Sequence, residues 1–235
     1  MPKREPNRGC TTNLAVLENL VMSHAPSGTA TAELTAYSSP DRVRAVALVL
    51  PGGKADSYEA AIPTQLTAVR MRPFARALAR SGAEHGLAVS MLRYRYRGWN
   101  GIEASPTSDA RWALDEVRRA HGDIPVVLVG HSMGGRTSLR VADDASVVGV
   151  VALAPWLSGQ DPVAQLVGKR TLIAHGNLDF VTSPRASRSF AARAAAAGAD
   201  VTYQVIHGDS HAMLLRPLRW HHLTTRTTLD FLDQA

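Results

Sequence analysis

Three short clusters carry the residues that could do chemistry. The first is Gly130-His131-Ser132-Met133-Gly134-Gly135, a Gly-x-Ser-x-Gly motif. The second is His175-Gly176-Asn177-Leu178-Asp179, and the third is His207-Gly208-Asp209-Ser210-His211. A serine hydroxyl is a poor nucleophile at neutral pH. It needs a base within hydrogen-bond reach and a third group to orient that base. Here Asp179 can orient His211, and His211 can take the proton of Ser132, which is the equipment of acyl transfer. The motif alone does not decide the matter. A Gly-rich turn that opens a helix also binds phosphates, and a chain with 18 glycines can produce Gly-x-Ser-x-Gly by chance.

The elements around these clusters decide where they stand. Pro125–Val129 is short, valine-rich and apolar on both parities, the pattern of a parallel strand buried on both faces. Arg136–Ala142 is compatible with a helix. A passage from strand to helix within about four residues puts Ser132 at the tip of a sharp, strained turn. A Cβ at Gly130 or Gly134 would then collide with a neighbouring strand or helix. The turn aims the first helical N–H, that of Met133, at whatever binds there.

Further buried strands are expected at 44–50, 87–92, 147–153, 170–174 and 201–206, with a weakly alternating antiparallel edge strand within 28–37. Lys54–Thr64 has no period and reads as a long loop, and Arg93–Gly101 breaks into another. Helices are expected at 66–80, from Ser105 to Gly122, from Ser183 to Gly198, and at 219–232. In the first, Phe74, Ala77, Leu78 and Ser81 form the buried side, with an interruption near Pro73 and a stop at Gly82. In the second, Ser105 is the N-cap and Ala110, Ala113, Leu114 and Val117 form the stripe. Ser183-Pro184 caps the third. Strands alternating with helices give an α/β chain with a mostly parallel sheet and helices on both faces. In such sheets ligands bind outside the carboxyl ends of the strands. Ser132, Asp179 and His211 each follow a strand and so share that edge.

Taken together and in this order, the three clusters make the sequence resemble an α/β-hydrolase from about residue 40 onward. It is most similar to short, lidless bacterial members near the dienelactone-hydrolase and small-esterase groups. The resemblance implies Ser132 as nucleophile, Asp179 as acid and His211 as base. It also implies an oxyanion hole from the backbone N–H of Gly53, with Lys54 the less favoured donor, and that of Met133. Pro51 departs from the family pattern, which usually has a His before the Gly; the donor comes from a later residue, so the hole survives. Dienelactone hydrolases proper use a cysteine nucleophile, so their substrate is not carried over. The expected reaction is cleavage of a small carboxylic ester or thioester through an acyl-enzyme. The alternatives are a peptidase or amidase of the same fold, and a non-catalytic relative that binds a ligand. Only Trp156–Lys169 separates two strands where other members insert a lid, which implies an open, shallow pocket.

Lys54, Arg97, Trp99 and Trp156 are candidates to line that pocket. An arginine there would favour an anionic acyl or leaving group. Arg93-Tyr94-Arg95-Tyr96-Arg97 could grip nucleic acid by stacking and phosphate contacts. In an extended segment, though, the arginines and tyrosines fall on opposite faces. His131 and His175 are expected to be structural, beneath the turn. His207, Asp209 and His211 have the close spacing of a metal site, but no other ligand cluster joins them, so no metal and no cofactor are expected. Asp209 is a rival acid for His211, disfavoured by its closeness in sequence.

Composition narrows the function classes. A chain of 235 residues suits one substantial domain. The expected division is an N-terminal extension over 1–26 and a hydrolase domain over 27–235. The net charge is +6 and is carried almost wholly by arginine, since the lysines are Lys3, Lys54 and Lys169. The arginines are spread along the chain rather than gathered, so neither nucleic acid nor a membrane is an expected partner. Cys10 is the lone cysteine, which rules out an internal disulfide and fits a cytoplasmic protein. Lys3-Arg4 followed by Leu14–Leu17 faintly resembles a signal peptide, cut short by Glu18 and Asn19. An amphipathic helix through Leu14, Leu17, Leu20 and Val21 suits the stretch better, and Met22 could be the true start.

Overall fold

A computed structural model describes residues 30–233. The expectations for the first 26 residues, including the short helix and the alternative start at Met22, lie outside the described residues.

The described residues form seven strands and five α-helices: β1 (Glu33–Ser38), β2 (Ala45–Leu50), α1 (Leu66–Gly82), β3 (Leu87–Arg93), α2 (Ser105–His121), β4 (Val126–His131), α3 (Met133–Arg140), β5 (Val147–Leu153), β6 (Arg170–Gly176), α4 (Pro184–Ala196), β7 (Asp200–Ile206) and α5 (Pro217–Leu232). One sheet runs in the order β1-β3-β2-β4-β5-β6-β7. β1 is an antiparallel edge strand on β3, and all other pairings are parallel. This is the α/β-hydrolase fold, without a lid domain between β5 and β6.

The apolar runs form central strands because both of their parities have somewhere to go. Val46, Leu48 and Leu50 of β2 face one core with Leu114 of α2, Leu139 of α3 and Phe190 of α4. Ala45, Ala47 and Val49 face the other with Met71, Phe74 and Leu78 of α1 and Trp220 and Phe231 of α5. From β2 the chain moves outward to β3, then returns to β4 on the other side of β2. The carboxyl ends of β2 and β4 therefore flank a topological switch point, where a crevice opens. Gly52-Gly53 follows β2 and Ser132 follows β4, so both stand at that crevice.

Several local expectations need correction. α1 continues through Pro73 without a break. Pro73 is exposed, as is Val69 one turn earlier, so the carbonyl left without a helical donor is on the wet side of the helix. The buried stripe of α1 is Met71, Phe74, Ala75 and Leu78, while Ser81 is exposed. Gly82 is the last helical residue, and the left-handed stop comes at Gly86, φ 71°. Ser105 is not the N-cap of α2. It is the first helical residue, and its hydroxyl is held by Asn100 Nδ2 at 3.1 Å and donates to Glu103 at 2.7 Å. Ser183 does cap α4, accepting from the Ala186 N–H at 3.1 Å. α5 begins two residues earlier than expected, with Pro217 in its first turn.

The two long loops are stitched together. The Lys54 N–H donates to Arg97 O at 2.8 Å, the Trp99 N–H to Lys54 O at 3.0 Å, and the Arg97 N–H to Glu59 O at 3.0 Å. Non-periodic sequence hides such pairing, because it is made by backbone groups with no side-chain signature. No helix among the described residues is long and apolar enough to cross a membrane.

Candidate active site

Ser132 stands between β4 and α3 with φ 56° and ψ −117°, a conformation that L-residues rarely adopt. Close packing holds it there. A Cβ on Gly130 would lie 2.2 Å from Gly134 O, and one on Gly134 would lie 2.0 Å from Leu50 O. Only glycine permits the strand, the turn and the helix to approach this closely. The turn's own backbone is satisfied: the Ser132 N–H donates to Leu153 O at 3.0 Å, and Ser132 O accepts from Arg136 N and Trp156 N at 3.1 and 3.0 Å.

His211 Nε2 lies 3.0 Å from Ser132 Oγ, and His211 Nδ1 lies 2.8 Å from Asp179 Oδ2. With Nδ1–H donating to the carboxylate, Nε2 is the acceptor for the serine hydroxyl. Asp179 is 6% exposed and heavily supplied with donors. Its Oδ1 accepts from the N–H groups of Val181 and Thr182, each at 2.8 Å. Its Oδ2 also accepts from the Thr182 hydroxyl at 2.8 Å and from His175 Nε2 at 3.0 Å. Burial pushes this carboxyl up, but the hydrogen bonds from His175, His211 and Thr182 outweigh it and hold Asp179 well below the usual carboxylate range.

The other candidates separate clearly. Asp209 is buried but faces away from His211. It accepts from Trp220 Nε1 at 2.9 Å and from the Arg216 N–H at 2.8 Å, which organises the loop after β7. Asp209 and His211 thus point to different partners. His175 is fully buried between Asp179 and Ser187, whose hydroxyl it meets through Nδ1 at 2.9 Å. His131 Nε2 donates to the His211 carbonyl at 3.0 Å and braces the loop after β7. Burial, with the neighbouring His211 adding to it, pushes His131 down to about 3.

Gly53 and Met133 sit side by side. A Cβ on Gly53 would fall 2.4 Å from both Arg97 O and Met133 Cε. The Met133 N–H opens α3 and has no carbonyl one turn back to take it. The Lys54 N–H is committed to Arg97 O, which removes it as an oxyanion donor.

A cavity of about 460 Å³ opens at Ser132, walled by Leu66, Thr67, Leu178, Phe180 and Val181 beside His131 and His211, with Gly53 and Arg70 also lining it. Lys54, Arg97, Trp99 and Trp156 do not line it. Arg97 pairs with Glu59, and Lys54 lies 3.7 Å from the same carboxylate. Trp99 and Trp156 meet edge to face, and the Arg136 guanidinium lies 4.1 and 4.9 Å from their rings while pairing with Asp161 at 2.7 Å. That cluster packs on α3 through Arg136 and does not line the cavity. Arg93 and Arg95 are likewise held by Glu33 and Asp109. The cation of the cavity is Arg70, which sequence reading missed. Its signal was position: Arg70 lies one turn before Phe74, beside the buried stripe of α1.

The family model described as "Alpha/beta hydrolase family" matches residues 47–182. No curated protein matches in sequence. Among solved structures, an alpha-beta serine hydrolase homologue from Coxiella burnetii is 18% identical with a TM-score of 0.63, covering 83% of this chain and 91% of its own. A serine hydrolase without a lid from Xanthomonas campestris is 19% identical with a TM-score of 0.61, covering 86% and 88%. Esterase 2 of Thermogutta terrifontis, in a form phosphonylated by cyclosarin, is 18% identical with a TM-score of 0.63, covering 86% and 90%. At these identities the likeness is one of fold.

Proposed function

The chain belongs to the alpha/beta hydrolase family, and from that premise we propose that it is a serine hydrolase cleaving small carboxylic esters or thioesters. One observation carries this reading: the unbroken hydrogen-bond chain from Ser132 Oγ through His211 to Asp179, at 3.0 and 2.8 Å. His211 Nε2 removes the hydroxyl proton as Ser132 Oγ bonds to the carbonyl carbon. The Gly53 and Met133 N–H groups stabilise the resulting oxyanion. His211 then gives the proton to the departing alcohol or thiol, leaving an acyl group on Ser132. Water, deprotonated by the same imidazole, releases the acid and restores the enzyme. Asp179 stays ionised throughout and holds the imidazole in the tautomer that the first step requires.

Hydrolysis of short-chain nitrophenyl esters by wild type and by Ser132→Ala tests the reading. The wild type turns over, and the variant loses about 10⁴-fold or more in kcat. A variant as active as the wild type removes Ser132 from the mechanism.

A further inference from the structure

We propose that Arg70 makes the Ser132 cavity selective for esters that carry a carboxylate, which it pairs while the apolar part of the substrate lies on the cavity wall. This rests on the serine hydrolase reading and names the substrate class for the same site. Among the described residues, Arg70 is the one that lines the cavity and carries a fixed charge. It is half-buried, and among the described residues it forms no ion pair. The other arginines of this edge with comparable burial, Arg93, Arg95, Arg97 and Arg136, each hold a carboxylate.

The guanidinium is placed for the reaction. Nη1 donates to the carbonyl of Ala212, the residue after His211, at 2.5 Å. That bond fixes the side chain beside the catalytic base and leaves Nη2 and Nε to make a two-pronged contact with a carboxylate. Its surroundings raise the value of such a pair. Leu66, Leu178, Phe180 and Val181 wall the cavity, and a substrate body laid on their apolar surface would keep water from the pair. Phe180 and Val181 are 94% and 74% exposed, so the rim presents apolar surface to a ligand body as well. A half-buried, unpaired cation within an apolar wall is stabilised by an anion brought in by the ligand.

The test compares kcat/KM on 4-nitrophenyl butyrate, 4-nitrophenyl hemisuccinate and 4-(butyryloxy)benzoate, which place the carboxylate nowhere, on the acyl side and on the leaving side. In Arg70→Met the preference for one of the two carboxylate esters over the neutral ester falls at least about tenfold, mainly through KM. Arg70→Lys restores part of it, returning the charge but not the fork. A ratio unchanged within about twofold for both carboxylate esters overturns the proposal. Wild-type enzyme gives a second measurement that needs no variant: glutarate inhibits hydrolysis of the neutral ester more strongly than glutaramide does, and equal inhibition also overturns the proposal. Labelling of Ser132 by a fluorophosphonate separates the two readings. Labelled enzyme with flat ratios defeats only the role of Arg70, whereas unlabelled, inactive wild type defeats the serine hydrolase reading and this one with it.

Discussion

Two aspartates compete for one histidine, and their partners tell them apart. Asp179 points at His211, while Asp209 points at Trp220 and the backbone of Arg216. Asp179→Asn is therefore expected to lower kcat by about 10⁴-fold, because an amide cannot hold the same tautomer, and to lower Tm as well, because it turns an N–H toward the donors that the carboxylate accepts. Asp209→Asn is expected to act on stability, lowering Tm by several degrees, since it weakens buried hydrogen bonds. Parallel melting curves and ester kinetics on the two variants check this. His131 gives a pH prediction. Its imidazole is held down at about 3 in the folded chain, against about 6.5 when unfolded. Between those values the unfolded chain binds a proton that the native state does not, so stability falls as pH falls through that window and is unaffected above it. Tm measured at about pH 7.5 and about pH 5 should differ less in His131→Gln than in the wild type. At this scale the meeting of Ser132, Asp179 and His211 at one edge was legible because each follows a strand that its own sequence announces. Arg70 was not, since its one signal, a place one turn before Phe74, sets it beside the buried stripe of α1 without saying that this end of the helix borders the site. Nor was the second histidine on Asp179, which depends on His175 and Thr182 being folded back onto one oxygen.

The strand–turn–helix around Ser132 is held by contacts that leave no room for a methyl group. Gly134→Ala puts a Cβ against Leu50 O, so the expected result is loss of soluble, cooperatively melting protein together with activity. A well-folded, active Gly134→Ala would remove the steric account of the turn. Ser183→Ala deletes a real cap and should cost about 1 kcal/mol, a Tm drop of roughly 2–4 °C in a chain of this size. Strands and helix existence were readable from apolar period and from Pro and Gly signals. Cap assignment was less so: Ser105-Pro106 and Ser183-Pro184 look alike in sequence, yet only Ser183 caps. Asn100 and Glu103 engage the Ser105 hydroxyl first, and that competition arises from the fold of a loop. The pairing of the 54–64 loop with the 93–101 loop was invisible for a related reason, being made by backbone groups.

Over the whole molecule, the reversal of strand order between β2 and β4 opens the crevice that the site occupies. No lid stands between β5 and β6, and among the described residues the crevice is open to solvent, with an apolar rim and a single fixed cation. A cavity of about 460 Å³ of this form should give kcat/KM values that peak at short acyl chains across a nitrophenyl ester series. A steady rise out to dodecanoyl would show instead that a long apolar tunnel exists. The fold class and the open site were readable from the order of elements and from the short link before Arg170. The charge at the site was not, because Arg97 and Arg70 are equivalent until the chain folds and Glu59 claims the first. The central claim is that Ser132 is a nucleophile activated by His211. Its most direct test is reaction with a fluorophosphonate, followed by intact mass and peptide mapping of wild type, Ser132→Ala and His211→Ala. The account predicts one adduct per chain on the Ser132 peptide, none in Ser132→Ala, and strongly slowed labelling in His211→Ala. An adduct on another residue, or equal labelling of the Ser132→Ala chain, would contradict it.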